Sequence, residues 1–244
     1  MRDKFYSLLW LLVVIGCAWQ AARAAGVPTF LLPAPQAVLV ALVQHRALLA
    51  HHLFYTLTEI LLALLVGIGS GTLAAIAMAS SQRLRRLLFP LITASQAIPI
   101  FALAPLLVLW LGYGIASKVA VAALILFFPL CLSLFEGLCR TPPGWLELGQ
   151  TLSPSRFYRL RHLYWPAALP GFFTGLHMAM ILAPIGVVMG EWVGASEGLG
   201  YLMMQSNARL ETALSFAALT LLLMITLLLS AIVTLLRRKY LWQS

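Results

Sequence analysis

A serine in a glycine-rich segment is the most obvious candidate nucleophile in this sequence. Residues 194–198 read Gly-Ala-Ser-Glu-Gly, which matches the GxSxG pattern of serine hydrolases. In those enzymes the serine lies on a strand-to-helix turn, and an acid and a histidine belong to the same site. Here the segment follows a long apolar stretch, and no histidine follows Ser196. An intramembrane hydrolase that uses Ser196 is therefore kept only as a third alternative.

Motifs for metal or nucleotide chemistry are missing from the sequence. His45, His51 and His52 lie close together, but they do not have HxxxH or HExxH spacing. None of the lysines follows a glycine, so the GK[ST] end of a phosphate-binding loop is absent. The sequence predicts no cofactor, no metal and no nucleotide hydrolysis by this chain. Three cysteines without CxxC spacing are interpreted as small buried hydrophobic residues: Cys17, Cys131 and Cys139.

The composition indicates an integral membrane protein. Of the 244 residues, 62% are hydrophobic and 9% are charged, and the mean hydropathy is +0.96. A soluble domain has roughly 45–50% apolar and 25% charged residues. A soluble protein of this size could not bury so much apolar surface, which excludes a cytosolic enzyme, a disordered chain and a disulfide-rich scaffold.

Six stretches are long and apolar enough to be membrane helices, which need about 20 residues each. None alternates with the period of two that a barrel strand requires, so we expect an all-α membrane protein with about six transmembrane helices in one domain, residues 1–244. The first stretch could instead be a cleaved signal peptide, but its length favours a retained helix. The stretches are residues 5–25, 54–79, 87–111, 115–138, 171–192 and 213–236.

Basic residues predict which membrane face is cytoplasmic. They cluster before the first stretch and after the second, fourth and sixth. An even number of crossings puts these clusters on one side, and the positive-inside rule makes that side, with both termini, cytoplasmic. The same clusters account for most of the net charge of +9, so the expected partner is membrane lipid and not nucleic acid.

The third stretch carries Pro90, Pro99 and Pro105, and we expect a kinked or broken helix there because proline removes a backbone donor. Broken helices at membrane depth usually line a cavity, so Gln96, Pro99 and Pro105 are predicted to lie beside a substrate path. Two pairs of glycines four residues apart mark either close helix contacts or chance in a glycine-rich chain. These pairs are Gly67 with Gly71, and Gly186 with Gly190.

Few polar residues occur within the stretches. Glu59 lies near the start of the second one, and two interpretations are open: an acid at the membrane interface, or a residue that faces the substrate path. Glu136 is expected to pair with Arg140 four residues later. His177 is interpreted as a hydrogen-bonded core histidine.

The segment 140–170 is the largest predicted cytoplasmic feature. Two pairs of capping residue and proline, at 141–142 and 153–154, predict two short helices with a turn between them. Pro166 and Pro170 are expected to end this unit. Aromatic residues interleave with arginines in it, and such a surface either binds a partner or packs against the chain's own helix ends.

This segment resembles the EAA loop in the permeases of binding-protein-dependent ABC importers. That motif reads E-A-A, three residues, G, nine residues, I-x-L-P. The corresponding residues here are Glu147-Leu148-Gly149, Ser153 and Leu163-Tyr164-Trp165-Pro166, and both spacings match. The departures are Leu-Gly in place of Ala-Ala, Ser in place of Gly, Leu in place of Ile and Trp in place of Leu.

Other segments are similar to the taurine, sulfonate and nitrate permeases: 166–171, 190–194 and 198–202. Within that group, segments 95–99, 104–110 and 140–144 are most similar to permeases for hydroxymethylpyrimidine, a thiamine precursor. The resemblance implies a type I ABC importer permease fold, a bacterial inner membrane, a homodimer, two ATP-binding cassette ATPase subunits and a periplasmic substrate-binding protein.

The resemblance also implies roles for particular residues. The loop 140–166 would couple the chain to the ATPase through Glu147, Leu148, Gly149, Ser153, Leu163 and Pro166. The glycine-rich loop that starts near the end of the fifth stretch would shape an outer gate or a docking surface, through Glu191, Gly194, Gly198 and Gly200.

The sequence therefore predicts a transport subunit and not an enzyme. The expected solute is hydroxymethylpyrimidine or a related pyrimidine, and the alternative is taurine, an alkanesulfonate or nitrate. A second hypothesis is a secondary transporter with Glu59 as its ion site. The scarcity of intramembrane acids argues against that hypothesis.

Overall fold

The computed structural model describes residues 10, 16, 19–21, 26–142, 144 and 155–241, and among these it contains helices and no strands. We number the helices in chain order; a π-helical turn, Leu160–Tyr164, joins α6 to α7. The helices are α1 Pro35–Gln44, α2 Arg46–Ser80, α3 Gln82–Ser95, α4 Ile100–Leu111, α5 Ile115–Cys139, α6 Arg156–Arg159, α7 Trp165–Gly194, α8 Leu199–Ala208 and α9 Thr212–Leu241.

Four of the described helices are long and apolar enough to cross a bilayer: α2, α5, α7 with its π-helical turn, and α9. Helices α3 and α4 together form a fifth candidate, bent by 101° at the break between them. The structure therefore confirms the all-α membrane fold and five of the predicted stretches. The first predicted stretch, residues 5–25, lies almost wholly outside the described residues and stays a prediction.

The break between α3 and α4 confirms the helix interruption that the prolines predict. Pro99 has an extended backbone, with φ −63° and ψ 115°, and it disfavours helical geometry in the residue before it. Pro90 and Pro105 lie inside α3 and α4 without ending them. Helix α4 ends at Gly112, whose φ of +80° favours glycine. Only one of the three prolines therefore breaks the span.

Helix α5 is the centre of the fold and packs most extensively against α7 and α2. Glycines make these contacts close: a Cβ on Gly67 would lie 2.9 Å from the Leu126 Cβ. On α7, a Cβ on Gly186 would lie 3.0 Å from the Ala122 Cα, and one on Gly190 would lie 2.9 Å from the Lys118 Cα. The spaced glycines are therefore helix contacts and not chance.

The contact between α5 and α7 is equally close at the opposite ends of these helices. A Cβ on Gly175 would lie 2.6 Å from the Pro129 carbonyl oxygen, and one on Gly171 would lie 2.5 Å from that of Ser133. The two backbones thus touch along most of their length.

Glu136 and Arg140 form the predicted pair at the end of α5, with 3.4 Å between Oε2 and Nη2.

Pro166 and Pro170 do not end the cytoplasmic unit, contrary to the sequence prediction. The chain is helical from Arg156 through Gly194. Pro166 lies in the first turn of α7, where a missing N–H costs little, and the π-helical turn before it relieves the clash of its ring with the preceding turn. Helix α7 therefore extends from the membrane into the predicted coupling segment.

The cysteine interpretation is correct for Cys131 and wrong for Cys139. Cys131 is buried in α5, whereas Cys139 is exposed at the last position of that helix, where neighbouring helices no longer cover it. Cys17 lies outside the described residues.

His177 shares a hydrogen bond with Ser230, with 2.8 Å between Nε2 and Oγ. This bond joins α7 to α9 and agrees with the prediction of a hydrogen-bonded histidine.

Candidate functional site

Three residues predicted beside a substrate path lie on exposed surface at the helix break and beyond it. Gln96 is the C-cap of α3 and Pro99 precedes α4, so the break brings these two together. Pro105 lies in the middle of α4. The buried face of α4 contacts α5 and α7, while Phe101 and Trp110 are exposed. The break thus presents an uncharged, partly aromatic surface.

Glu59 does not reach the molecular surface. Its side chain is fully buried, and the Lys118 Nζ lies 2.5 Å from its Oε1. Lys118 itself is only 8% exposed and comes from the first turn of α5. An acid inside a membrane helix needs a partner of this kind, because an isolated charge is costly there. The prediction of an interfacial acid is therefore wrong.

A second buried acid, Glu191, lies close enough to this pair for its charge to interact with both Glu59 and Lys118. Its carboxylate accepts a hydrogen bond from the Thr56 hydroxyl at 2.6 Å and from the Gly200 amide at 2.5 Å. Three helices, α2, α5 and α7, therefore supply a buried cluster of one cation and two acids.

The start of α8 is bound by side chains from two membrane helices. The Leu199 amide donates to the Thr56 hydroxyl at 2.8 Å, and the Gly198 amide donates to the His52 Nδ1 at 3.0 Å. With the bond from Gly200 to Glu191, the amides of residues 198–200 each have a partner, and a carboxylate at a helix N-terminus is electrostatically favourable. We call His52, Thr56, Glu191 and the amides of 198–200 the Glu191 network.

Glycine is required where α8 approaches Glu191. Gly198 has a φ of +111°, and a Cβ there would overlap the Glu191 carboxylate. A Cβ on Gly200 would lie 2.7 Å from the same group. The GxSxG pattern thus has a structural origin, since its last glycine permits this approach. Ser196 is exposed on the loop after α7, not on a strand-to-helix turn.

Gly194 connects this region to the broken helix. A Cβ at this position would lie 2.9 Å from the Val108 Cγ2 of α4. Beside it lies a cleft of about 270 Å³, lined by Tyr113, Lys118, Ser196 and neighbouring residues. The four residues predicted for an outer gate are therefore brought together: Glu191, Gly194, Gly198 and Gly200.

The three neighbouring histidines separate into different environments. His52 is buried in the Glu191 network, whereas His51 is exposed and lies 3.3 Å from the Glu197 carboxylate. The sequence did not predict that Thr56, Lys118 and His52 lie together around the buried acids. The available signal was Lys118, a cation inside an apolar stretch, which requires a buried acid from another helix.

Most of the predicted coupling residues, Glu147, Leu148, Gly149 and Ser153, lie outside the described residues. Leu163 is in the π-helical turn and is half-buried, and Pro166 is exposed in the first turn of α7. Tyr158 stacks on His162 one turn later, with ring centroids 4.1 Å apart. An exposed aromatic pair therefore lies where α6 meets the π-helical turn, at the start of the apolar span.

Comparison with known proteins identifies the chain's relatives. The chain is 43% identical over 243 residues to a "probable ABC transporter permease protein" of Haemophilus influenzae, covering 99% of both chains. It is 41% identical over 197 residues to the formylaminopyrimidine transport permease protein ThiX of Halalkalibacterium halodurans, covering 80% of this chain and 78% of the relative. It is 30% identical to the taurine permease protein TauC of Escherichia coli, covering 98% and 89%.

Solved structures of other ABC transporters have a similar fold. An inward-facing structure of the MetNI methionine ABC transporter superposes with a TM-score of 0.71 at 18% identity, covering 81% of this chain and 98% of that one. Residues 67–241 match the family model described as the binding-protein-dependent transport system inner membrane component. The chain therefore belongs to that family and is a membrane permease subunit of an ABC importer, not an enzyme.

Proposed function

We propose that this permease translocates a small pyrimidine of the hydroxymethylpyrimidine or formylaminopyrimidine class. The observation that carries the proposal is the 41% identity to a formylaminopyrimidine permease, against 30% to a taurine permease. Specificity in such an importer rests partly on the protein that delivers the solute, so the proposal concerns the chemical class.

The surface of α4 supports an uncharged heterocycle. This helix contains no acidic or basic residue, and it exposes Phe101 and Trp110, with Tyr113 just beyond its end. Flat aromatic side chains bind planar rings through offset or edge contacts. We propose that Gln96, Pro99 and Pro105 line the path on this surface. Glu59, which was also predicted beside the path, is left out of this lining, because its carboxylate is fully buried against Lys118.

Taurine, an alkanesulfonate or nitrate is the second candidate. The similarity to the taurine permease extends over 98% of the chain. Lys118 lines the cleft beside Ser196, and a cation is the group that binds an anionic head group most strongly. Its pairing with Glu59 reduces that attraction, which is a second reason to prefer the pyrimidine.

We propose a homodimer of this permease with two ATP-binding cassette ATPase subunits and a periplasmic binding protein. We also propose that both termini are cytoplasmic: the positive-inside rule then accounts for Arg83, Arg85 and Arg86 at the start of α3 and for the basic end of α9, and the predicted first crossing brings the N-terminus to the same side. The loop 195–198 and α8 then lie on the outer side. There Glu191, Gly194, Gly198 and Gly200 would shape the gate or the docking surface.

The segment 140–166 would contact the ATPase through Glu147, Leu148, Gly149, Ser153, Leu163 and Pro166. The support from this structure is that α6, the π-helical turn and α7 are continuous from Arg156 to Gly194. A rigid helix of this kind can carry a displacement into the membrane.

The test is solute uptake by proteoliposomes that contain the purified complex, with ATP inside and the binding protein added outside. We expect accumulation of labelled hydroxymethylpyrimidine, and none with a catalytically dead ATPase. Accumulation of taurine alone would support the second candidate. Uptake by the chain without ATPase, abolished by a protonophore, would instead indicate the ion-coupled mechanism and contradict the proposal.

A further inference from the structure

We infer that Thr56 is a positioning residue for transport: it holds the start of α8 in the conformation that receives the substrate-loaded binding protein. The inference rests on the proposed function in one respect, namely that the loop 195–198, α8 and the turn after it form the outer docking surface. Thr56 acts through Glu191 and the amides of 198–200, and it makes no contact with solute.

The Thr56 hydroxyl is the central group of the Glu191 network. A hydroxyl has one donor and can accept, and both capacities are used here: it donates to Glu191 and accepts from the Leu199 amide. Thr56 is fully buried, so water does not replace these bonds. Removing the hydroxyl therefore leaves a buried carboxylate and a buried amide each without one partner.

The Glu191 carboxylate links the Thr56 hydroxyl to α8, so loss of that hydroxyl also affects the helix. Its other oxygen accepts from the Gly200 amide, and Trp192 donates to the Gly200 carbonyl at 3.1 Å. The first turn of α8 is thus fixed from both sides of Gly200. Nearby, Lys118 supplies the positive charge that allows two acids to be buried together. The position of Glu191 is therefore set by its hydrogen bond with Thr56 and by the positive charge of Lys118.

The far end of α8 is the part available to a partner. Residues 209–211 form an exposed turn between α8 and α9, and Leu210 in this turn is 70% exposed with a φ of +59°. Leu199 and Leu202, in the first turn of α8, are buried in the core. A shift at the first turn of this short helix consequently changes where the exposed turn lies.

The experiment compares three variants in the complete complex: Thr56→Val, Thr56→Ser and Thr58→Val. Thr58 is a matched control, because it lies in the same helix, is only half-buried, and donates to the Phe54 carbonyl within that helix. The first measurement is the concentration of loaded binding protein that gives half-maximal stimulation of ATP hydrolysis, together with the maximal rate. The second is amide hydrogen exchange over residues 198–202.

We expect Thr56→Val to raise the half-saturating concentration by at least about tenfold, because it removes two buried hydrogen bonds, while the maximal rate is retained. Amide exchange at 198–202 should accelerate in the same variant. Thr56→Ser keeps the hydroxyl and should restore both values, and Thr58→Val should leave both unchanged.

The inference is overturned if Thr56→Val behaves like Thr58→Val in either measurement. It is also overturned if Thr56→Val lowers the maximal rate at an unchanged half-saturating concentration, since that pattern indicates general damage. If no binding protein stimulates the wild-type complex, the proposed function fails. Hydrogen exchange in detergent then still decides whether Thr56 positions α8.

Discussion

Lys118 is a buried cation that interacts with acids from two other helices. It contacts Glu59 directly and lies close to Glu191. Breaking a buried ion pair by removing one partner is more costly than replacing both, because the remaining charge stays buried. The residue should therefore matter for stability far more than a surface lysine does.

We predict that Lys118→Met lowers the unfolding free energy by about 3–5 kcal/mol, since it leaves two acids without their cation. The double variant Glu59→Gln with Lys118→Met should recover most of that loss. Thermal unfolding of the detergent-solubilised chain measures both. Lys239→Met, at the exposed end of α9, is the control. Equal melting temperatures for the two lysine variants would contradict the assignment.

Gly198 combines a strained backbone angle with a close neighbour. We predict that Gly198→Ala destabilises the protein by about 2–3 kcal/mol, because the new Cβ meets the Glu191 carboxylate and φ is +111°. Gly112→Ala shares the positive φ but has no neighbour within 4 Å, so it isolates the backbone effect. Similar losses in thermal unfolding for the two variants would show that the contact with Glu191 contributes nothing.

At the scale of helices, the glycine contacts set how closely α5 and α7 approach. We predict that Gly175→Ala lowers the unfolding free energy by about 1–3 kcal/mol, because its Cβ would lie 2.6 Å from a backbone oxygen that cannot move aside. Gly69→Ala, in a helix and with nothing within 4 Å, is the control and should be neutral or slightly stabilising. A melting temperature for Gly175→Ala equal to that of Gly69→Ala would show that the close contact at Gly175 does not contribute to stability.

The sequence was sufficient to predict elements whose cause is local. Pro99 breaks its span because of proline's own geometry, and apolar length identifies α2, α5, α7 and α9. It was insufficient for α8, which is short and depends on contacts with Thr56 and Glu191 from distant positions. The pairing of Glu59 with Lys118 was missed for the same reason, because it joins two helices. The continuity through Pro166 was missed because the π-helical turn before it has no local sequence signal.

At the scale of the whole molecule, the proposed function requires the segment 140–166 to respond to the ATPase. We predict that Gly149→Asp leaves membrane insertion intact and abolishes substrate-stimulated ATP hydrolysis in the complex, because a bulky charge would enter the proposed contact. Gln82→Asp is the control: Gln82 is exposed at the start of α3, lies outside the segment 140–166, and its change should alter stimulation by less than about twofold. Normal stimulation in Gly149→Asp would exclude this residue from coupling.

Helix α7 begins beside Pro166 and carries Glu191 near its other end, 30 residues in a single element about 45 Å long. Contacts made at one end therefore bias the same conformational equilibrium as contacts made at the other. In the proposed complex, thermodynamic linkage then requires symmetry: the factor by which ATP strengthens docking of the loaded binding protein equals the factor by which that docking strengthens ATP binding.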